Sequence, residues 1–137
     1  MKKLIMVVLM LTPILFLKAQ DVPYNVAFDL TSKDTNDHKM VVRWLTGISS
    51  DKPEAKLEVV LYGQSLDMIR KDKSVVAAGL AKLANNKNIS VKVCAVAMKH
   101  HGVKETDLLP NIGIVPDGIY ELVVKQSEGW GYIKVGH

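Results

Sequence analysis

The sequence has 137 residues, of which 48% are hydrophobic and 23% are charged, and it contains a single cysteine. This length suits one domain with a single core, and one cysteine excludes an internal disulfide framework. The formal net charge of +4 is too small for the strong basic field of a nucleic-acid-binding protein, so nucleic acid is not an expected partner.

The first 20 residues are typical of a secretory signal peptide. Two lysines precede an apolar run over residues 4–17, and the small residue Ala19 lies near a plausible cleavage point. The run is short for a membrane span and contains Pro13, so we expect no stable membrane insertion after cleavage. Removing residues 1–20 takes away three lysines and no acid, which leaves residues 21–137 as one domain with a net charge of +1. The expected location is periplasmic or secreted.

Beyond the leader, strand patterns alternate with helix patterns along the chain. Period-two alternation and β-branched runs indicate strands, whereas apolar residues at spacings of three and four indicate helices. Such an alternation predicts an α/β fold with a parallel sheet covered on both faces. The predicted elements are a strand at 24–30, a helix starting near Asn36, a strand at 57–62, a helix over 75–84 capped by Ser74, a strand from 89, a short helix from Ala95, a helical turn at 107–110, a strand at 112–115, a helix over 119–126 and a strand at 130–135.

The only cysteine lies where the third predicted strand ends. Apolar residues at 89, 91 and 93 alternate with Ser90 and Lys92, and the run then loosens into alanines after Cys94. In open α/β sheets, ligands bind outside the carboxyl ends of the strands, so Cys94 is the candidate catalytic residue. The alternative is that Cys94 is a small buried hydrophobic residue, a common fate of free cysteine.

Four further polar residues are candidate binding residues. Gln64 and Ser65 follow the second predicted strand, although turn formation explains Ser65 equally well. His100 and His101 are adjacent and therefore point in different directions, and no histidine at the spacing of a zinc site accompanies them. We therefore expect no bound metal. A histidine near Cys94, and a helix beginning at Ala95, would each raise the thiolate fraction of the cysteine.

The nucleotide-binding and serine-hydrolase motifs are absent. No Gly-x-Gly-x-x-Gly follows the first strand, no Gly-x-x-x-x-Gly-Lys-Ser/Thr occurs, and Gly-x-Ser-x-Gly is missing. The sequence therefore predicts no cofactor.

Four blocks of the sequence together resemble the DsrE/DsrF-like family of sulfur-oxidation and sulfur-relay proteins. They are VKVCAVAM at 91–98, DLLP at 107–110, VPDGIYE at 115–121 and QSEGWGYIK at 126–134. The likeness runs from about residue 24 to residue 134. It implies a three-layer α/β/α domain with a five-stranded, mainly parallel sheet that assembles into homo-oligomers. In relay members of the family, a cysteine holds sulfane sulfur as a persulfide and passes it to a partner thiol, and Cys94 is the matching position.

Three hypotheses follow for the function. The first is an exported persulfide carrier that works through Cys94 with a sulfur donor and a thiol-bearing protein partner, and that is at most a sulfurtransferase-like enzyme. The second is a non-catalytic module that binds a small molecule or assembles as a homo-oligomer, with an inert, buried Cys94. The third is an exported redox sensor that forms an intermolecular disulfide through the same residue.

Overall fold

The computed structural model describes residues 22–136, so the predicted signal peptide at 1–20 lies outside the described residues. Strands and helices alternate along the chain, as the sequence pattern predicts. The strands are β1 (Asn25–Leu30), β2 (Lys56–Leu61), β3 (Ile89–Cys94), β4 (Gly113–Val115) and β5 (Gly131–Val135). The α-helices are α1 (Thr35–Asp51), α2 (Ala77–Leu83), α3 (Ala95–His101) and α4 (Gly118–Ser127), and two 3-10 helices span Ser65–Ile69 and Glu105–Asp107.

The five strands form one sheet in the order β4-β3-β2-β1-β5, and all four pairings are parallel. The predicted α/β class and the five-stranded parallel sheet are therefore confirmed. The carboxyl ends of β2, β3 and β4 lie at one edge of this sheet because the strands run in the same direction. Cys94 is the last residue of β3 and is paired with Val115 at the end of β4.

The two faces of the sheet differ in how they are covered. The larger core cluster joins alternate residues of β1, β2 and β3 to α1, α2 and α3, with Phe28, Leu45 and Met98 among its buried members. A smaller cluster of Ala27, Val60 and Leu122 packs α4 against the other face. This second face also carries charged side chains, because one helix cannot cover five strands.

Some element boundaries differ from the prediction, each for a local reason. The second helix begins at Ala77 rather than at a Ser74 cap, because the Ser74 hydroxyl accepts from the Val76 amide at 3.3 Å and closes the turn before the helix. The helical turn expected at 107–110 ends at Asp107, since Leu108 is extended. Within residues 22–136, no helix has both the length and the apolar composition needed to cross a membrane.

Candidate functional site

Cys94 lies between β3 and α3 and is almost completely covered. Its backbone is extended and it occupies the N-cap position of α3, but its thiol makes no capping hydrogen bond. Only 5% of the residue is exposed. Gly118, the first residue of α4, packs so closely that a β-carbon placed there would lie 3.1 Å from Cys94 Cβ. The backbone of Gly118 therefore covers the Cys94 side chain from the side of α4.

A cavity of about 440 Å³ lies at this edge, and Cys94 is part of its wall. We call it the thiol cavity. Its lining is mostly apolar and comes from the segments that follow β2, β3 and β4. The wall includes Tyr62, Gln64, Cys94, His100, His101 and Asp117. Cys94 thus contacts an open space despite its low exposure, and four of the five predicted site residues meet at one cavity.

The two histidines both line the thiol cavity and remain exposed to solvent. His100 and His101 are the last residues of α3, and their ring centroids are 5.0 Å apart in an edge-on arrangement. The helix ends there because Gly102 adopts a left-handed conformation with φ of 64°. Both imidazoles can therefore form hydrogen bonds with water and with a ligand in the cavity.

The fifth predicted residue, Ser65, is separate from this cavity. It is fully buried, and its hydroxyl lies 2.8 Å from the carbonyl oxygens of both Leu30 and Tyr62. These contacts tie the 3-10 helix after β2 to the end of β1. Ser65 therefore shapes the turn after β2, and its hydroxyl contacts backbone carbonyl oxygens rather than the cavity.

A buried carboxylate, which the sequence patterns did not single out, lies behind the thiol cavity. Asp29 is 4% exposed, and its Oδ2 accepts hydrogen bonds from the Tyr62 hydroxyl at 3.1 Å and from the Tyr132 hydroxyl at 2.6 Å. Its Oδ1 lies 3.1 Å from Lys134 Nζ, which also donates to the Thr31 hydroxyl at 2.6 Å. We call these five residues the Asp29 cluster. Tyr62 belongs both to this cluster and to the cavity wall.

The Asp29 cluster keeps both tyrosines in their neutral form. Burial, together with the negative charge of Asp29, raises the pKa of Tyr62 to about 12. The hydrogen bond to Asp29, together with burial, raises the pKa of Tyr132 to about 12. Each phenol therefore donates a hydrogen bond to the carboxylate at any physiological pH.

A second charged cluster lies on the same face of the sheet. Lys92 Nζ is 3.0 Å from Glu58 Oε2 and 2.7 Å from Glu121 Oε1, and Ser90 donates to Glu58 Oε2 at 2.7 Å. Burial raises the pKa of Glu58, which is only 2% exposed, although Ser90 and Lys92 oppose the shift. Burial acts in the same direction on Glu121, but hydrogen bonds to Lys92 and Glu58 outweigh it and lower its pKa. This cluster attaches α4 to the sheet beneath it.

Comparison with known protein families identifies the fold and its relatives. The family model for the DsrE/DsrF-like family matches residues 17–135. The chain belongs to the DsrE/DsrF-like family. At the level of the family, this membership implies a function related to sulfur relay.

Several solved structures are similar to this chain in fold. The protein of unknown function MTH1491 from Methanobacterium thermoautotrophicum has 24% identity and a TM-score of 0.75, with 81% of this chain and 98% of that chain covered. The conserved protein of unknown function BT1422 from Bacteroides thetaiotaomicron has 16% identity and a TM-score of 0.67, with coverage of 82% and 95%. The ychN protein from E. coli has 14% identity and a TM-score of 0.67, with coverage of 82% and 98%. No curated protein matches the sequence.

The DsrE-like domain has a second cavity beside the first, with a volume of about 330 Å³. We call it the basic cavity, because Lys33, Arg70 and Lys73 line it with a single carboxylate, Asp67. Its basic residues follow β1 and β2, which the sheet brings to the same edge as Cys94. In the part of the chain that the structure describes, no three His, Cys, Asp or Glu side chains are grouped so that they could hold a metal ion.

Sequence reasoning missed the basic cavity and the Asp29 cluster for related reasons. Lys33 belongs to the loop after β1, whereas Arg70 and Lys73 share the loop before α2, and both loops have the sequence context of solvated charges. Asp29 did carry a signal, because an acid that interrupts a buried parallel strand requires a partner. The alternation of Tyr132 and Lys134 in β5 places both on one face of the sheet, which identifies them as partners once β5 is known to pair with β1.

Proposed function

We propose that this protein is a persulfide carrier in which Cys94 holds the transferred sulfur. The observation that carries the proposal is that Cys94 forms part of the wall of a cavity at the carboxyl edge of a parallel sheet, within a sulfur-relay family. Cys94 is also a free thiol and the only cysteine of the sequence. A carrier needs one thiol and no second cysteine, because the donor and the acceptor bring their own sulfur.

The transfer consists of two displacements without net oxidation. The Cys94 thiolate attacks the outer sulfur of a donor persulfide R–S–SH, the donor S–S bond breaks, and R–S⁻ leaves while Cys94–S–SH forms. A thiolate of the acceptor then attacks the outer sulfur of Cys94–S–SH, takes that sulfur and releases the Cys94 thiolate. The exposed His100 and His101 on the same wall can take up the thiol proton before attack.

Intact-mass measurement after incubation with inorganic polysulfide tests the carrier. We expect the folded protein to gain the mass of sulfur at Cys94, to lose it to an added thiol, and to show no gain as the Cys94→Ser variant. An unchanged mass for a protein whose circular dichroism confirms the fold would contradict the proposal. A second incubation in urea serves as a positive control, because unfolding exposes the thiol.

A second candidate function is supported by the low exposure of Cys94. A cysteine that is only 5% exposed and whose β-carbon packs against Gly118 fits a module that binds a small molecule in the thiol cavity without reacting. Thiol labelling separates the two candidates. Labelling of the native protein within minutes supports the carrier, whereas labelling only after denaturation supports the binding module.

We also propose that the protein forms a homo-oligomer through α4. Ile119 and Tyr120 are 61% and 67% exposed, and Val123, one turn further along, is 53% exposed. These apolar side chains share one face of the helix, and Ile119 also lines the thiol cavity. Light scattering coupled to gel filtration should give a multiple of the monomer mass that Tyr120→Glu reduces. A monomer at high micromolar concentration would contradict the assembly.

The proposed location is the periplasm or the extracellular medium, and its support is the leader-like pattern of residues 1–20. Expression of the full chain in a bacterial host tests it. We expect a shortened protein in the periplasmic fraction, and a full-length protein that remains in the cytoplasm would contradict export.

A further inference from the structure

The basic cavity is lined by more positive than negative charges. Three cationic side chains, Lys33, Arg70 and Lys73, share the wall with one carboxylate, Asp67, which leaves a formal net charge of +2. A concave surface lined by one sign of charge concentrates the field and attracts an ion of the opposite sign. The cavity therefore favours an anionic occupant.

Asp67 does not use up the hydrogen-bonding capacity of these cations. Its two oxygens lie 3.5 Å from Arg70 Nη1 and 3.4 Å from Lys73 Nζ, longer than the 2.7–2.9 Å of strong charge-assisted bonds. Among residues 22–136, Lys33 forms no ion pair and the buried Nε of Arg70 has no acceptor. Arg70 Nη2 is held by Asp72 Oδ2 at 2.9 Å, so the donors left for a ligand are Lys33 Nζ and the loosely held Arg70 Nη1 and Lys73 Nζ.

The basic cavity and the thiol cavity share part of their walls. Gly63, Gln64 and His101 line both spaces, so the two cavities meet at the segment after β2 and at the end of α3. The thiol cavity is mostly apolar, whereas the basic cavity is polar and charged. One small molecule with an apolar end and an anionic end would match the pair.

We propose that the basic cavity binds the anionic group of a small organic ligand whose apolar part occupies the thiol cavity. The anionic group is a carboxylate or a sulfonate, held by Lys33, Arg70 and Lys73. In the carrier, this ligand is the donor persulfide R–S–SH, and its organic group R bears the carboxylate or sulfonate. This part of the proposal rests on the proposed function. Binding itself requires no reaction at Cys94.

Calorimetric titration with two matched probes tests the proposal. The probes are 3-phenylpropanoate and 3-phenylpropanamide, which have nearly the same shape and differ in charge. We expect the carboxylate to bind about tenfold more tightly than the amide, because each charged hydrogen bond is roughly twice as strong as a neutral one. The difference should shrink as salt is added, since screening weakens exposed charge interactions.

Two double variants assign the effect to the basic cavity. R70Q/K73Q should lose about tenfold in affinity for the carboxylate and leave the affinity for the amide unchanged, which also shows that the variant is folded. K82Q/K87Q removes the same charge from exposed positions outside both cavities and should bind both probes as the parent protein does. An equal loss in the two double variants would mean that only the overall charge matters, and it would overturn the proposal.

Three further results would overturn the proposal. They are equal affinity for the two probes, no measurable binding of either probe, and unchanged affinity of R70Q/K73Q for the carboxylate. Failure of this proposal is distinguished from failure of the carrier proposal by two separate measurements on the parent protein. A gain of sulfur from polysulfide without a preference for the carboxylate probe overturns only the ligand site, whereas a preference for the carboxylate without any gain of sulfur overturns only the carrier.

Discussion

Replacing Gly118 by alanine tests how tightly the thiol of Cys94 is packed. A β-carbon at this position would lie 3.1 Å from Cys94 Cβ, 3.3 Å from Val60 Cγ1 and 3.5 Å from Tyr62 Cδ1. Carbon atoms in contact prefer separations of about 3.5–4.0 Å, so two of these three neighbours must move by a few tenths of an ångström. All three belong to the sheet or to its end and have little freedom to do so.

The expected cost follows from two opposing terms. Overpacking of a well-packed core typically costs about 1–3 kcal/mol. Alanine in place of glycine in a helix gains up to about 1 kcal/mol. We therefore expect Gly118→Ala to lower the free energy of unfolding by about 1–2 kcal/mol. Gly47→Ala is the matched control, because Gly47 lies inside α1 with nothing within 4 Å of its added β-carbon, and it should raise that free energy by about 0.5–1 kcal/mol.

Urea unfolding of the two variants, followed by thiol labelling of the folded proteins, measures both effects. The new methyl group covers Cys94 from the side of α4, so labelling of Gly118→Ala should be slower than that of the parent protein, whereas Gly47→Ala should not differ. The reasoning fails if Gly118→Ala is stabilised as much as Gly47→Ala. That result would mean that space exists beside Cys94 and that the thiol is less enclosed than the contacts indicate.

Three further predictions concern the charged clusters. Asp29→Asn should lower the free energy of unfolding by about 1–3 kcal/mol. Ultraviolet titration of this variant should show the pKa of Tyr62 and Tyr132 falling from about 12 toward 10. Unchanged tyrosine pKa values would contradict the Asp29 cluster. In the parent protein, the raised tyrosine pKa values stabilise the folded state, and this stabilisation is complete below pH 10. The free energy of unfolding should therefore decline as the pH rises from 10.0 to about 12. A free energy of unfolding that stays constant over this range in urea unfolding would contradict the raised pKa values. Glu58→Gln should gain stability relative to the parent protein as the pH rises above 4.5. The reason is that the raised pKa of Glu58 favours the neutral carboxyl group in the folded state, and the glutamine side chain stays neutral at every pH. A relative loss of stability over the same range would refute the raised pKa of Glu58.

The position of Cys94 could be predicted from the sequence because the signals that define it are local. The alternation of residues 89–93 identifies β3, and the alanines that follow end the strand at Cys94 and begin α3. The segments after β2 and β3 meet because neighbouring parallel strands end at the same edge, and the same rule explains why Gln64 and Cys94 line one cavity. Ser65 differs because the backbone around it, rather than its position in the sequence, decides what its hydroxyl contacts.

The Asp29 cluster could not be predicted because its members are distant in sequence. Asp29 and Lys134 are 105 residues apart, and they meet only because β5 pairs with β1 rather than with β4. Alternation of residues identifies strands but carries no information on their order in the sheet. The prediction of a helix capped by Ser74 was wrong for a different reason. Ser74 satisfied the pattern of a helix cap, but its hydroxyl closes a local turn and the helix begins at Ala77.

The pairing of β5 with β1 also keeps β1 in the interior of the sheet and leaves β5 as the edge strand on that side. If β5 detached, the backbone amides and carbonyls of β1 would form a new open border beside the apolar side chains of Val26 and Phe28. Such a border recruits strands from other molecules and leads to swapped or aggregated chains. The bonds from Asp29 to Tyr132 and Lys134 fasten β5 at two points of its length, and they therefore protect against misassembly as well as maintaining the fold.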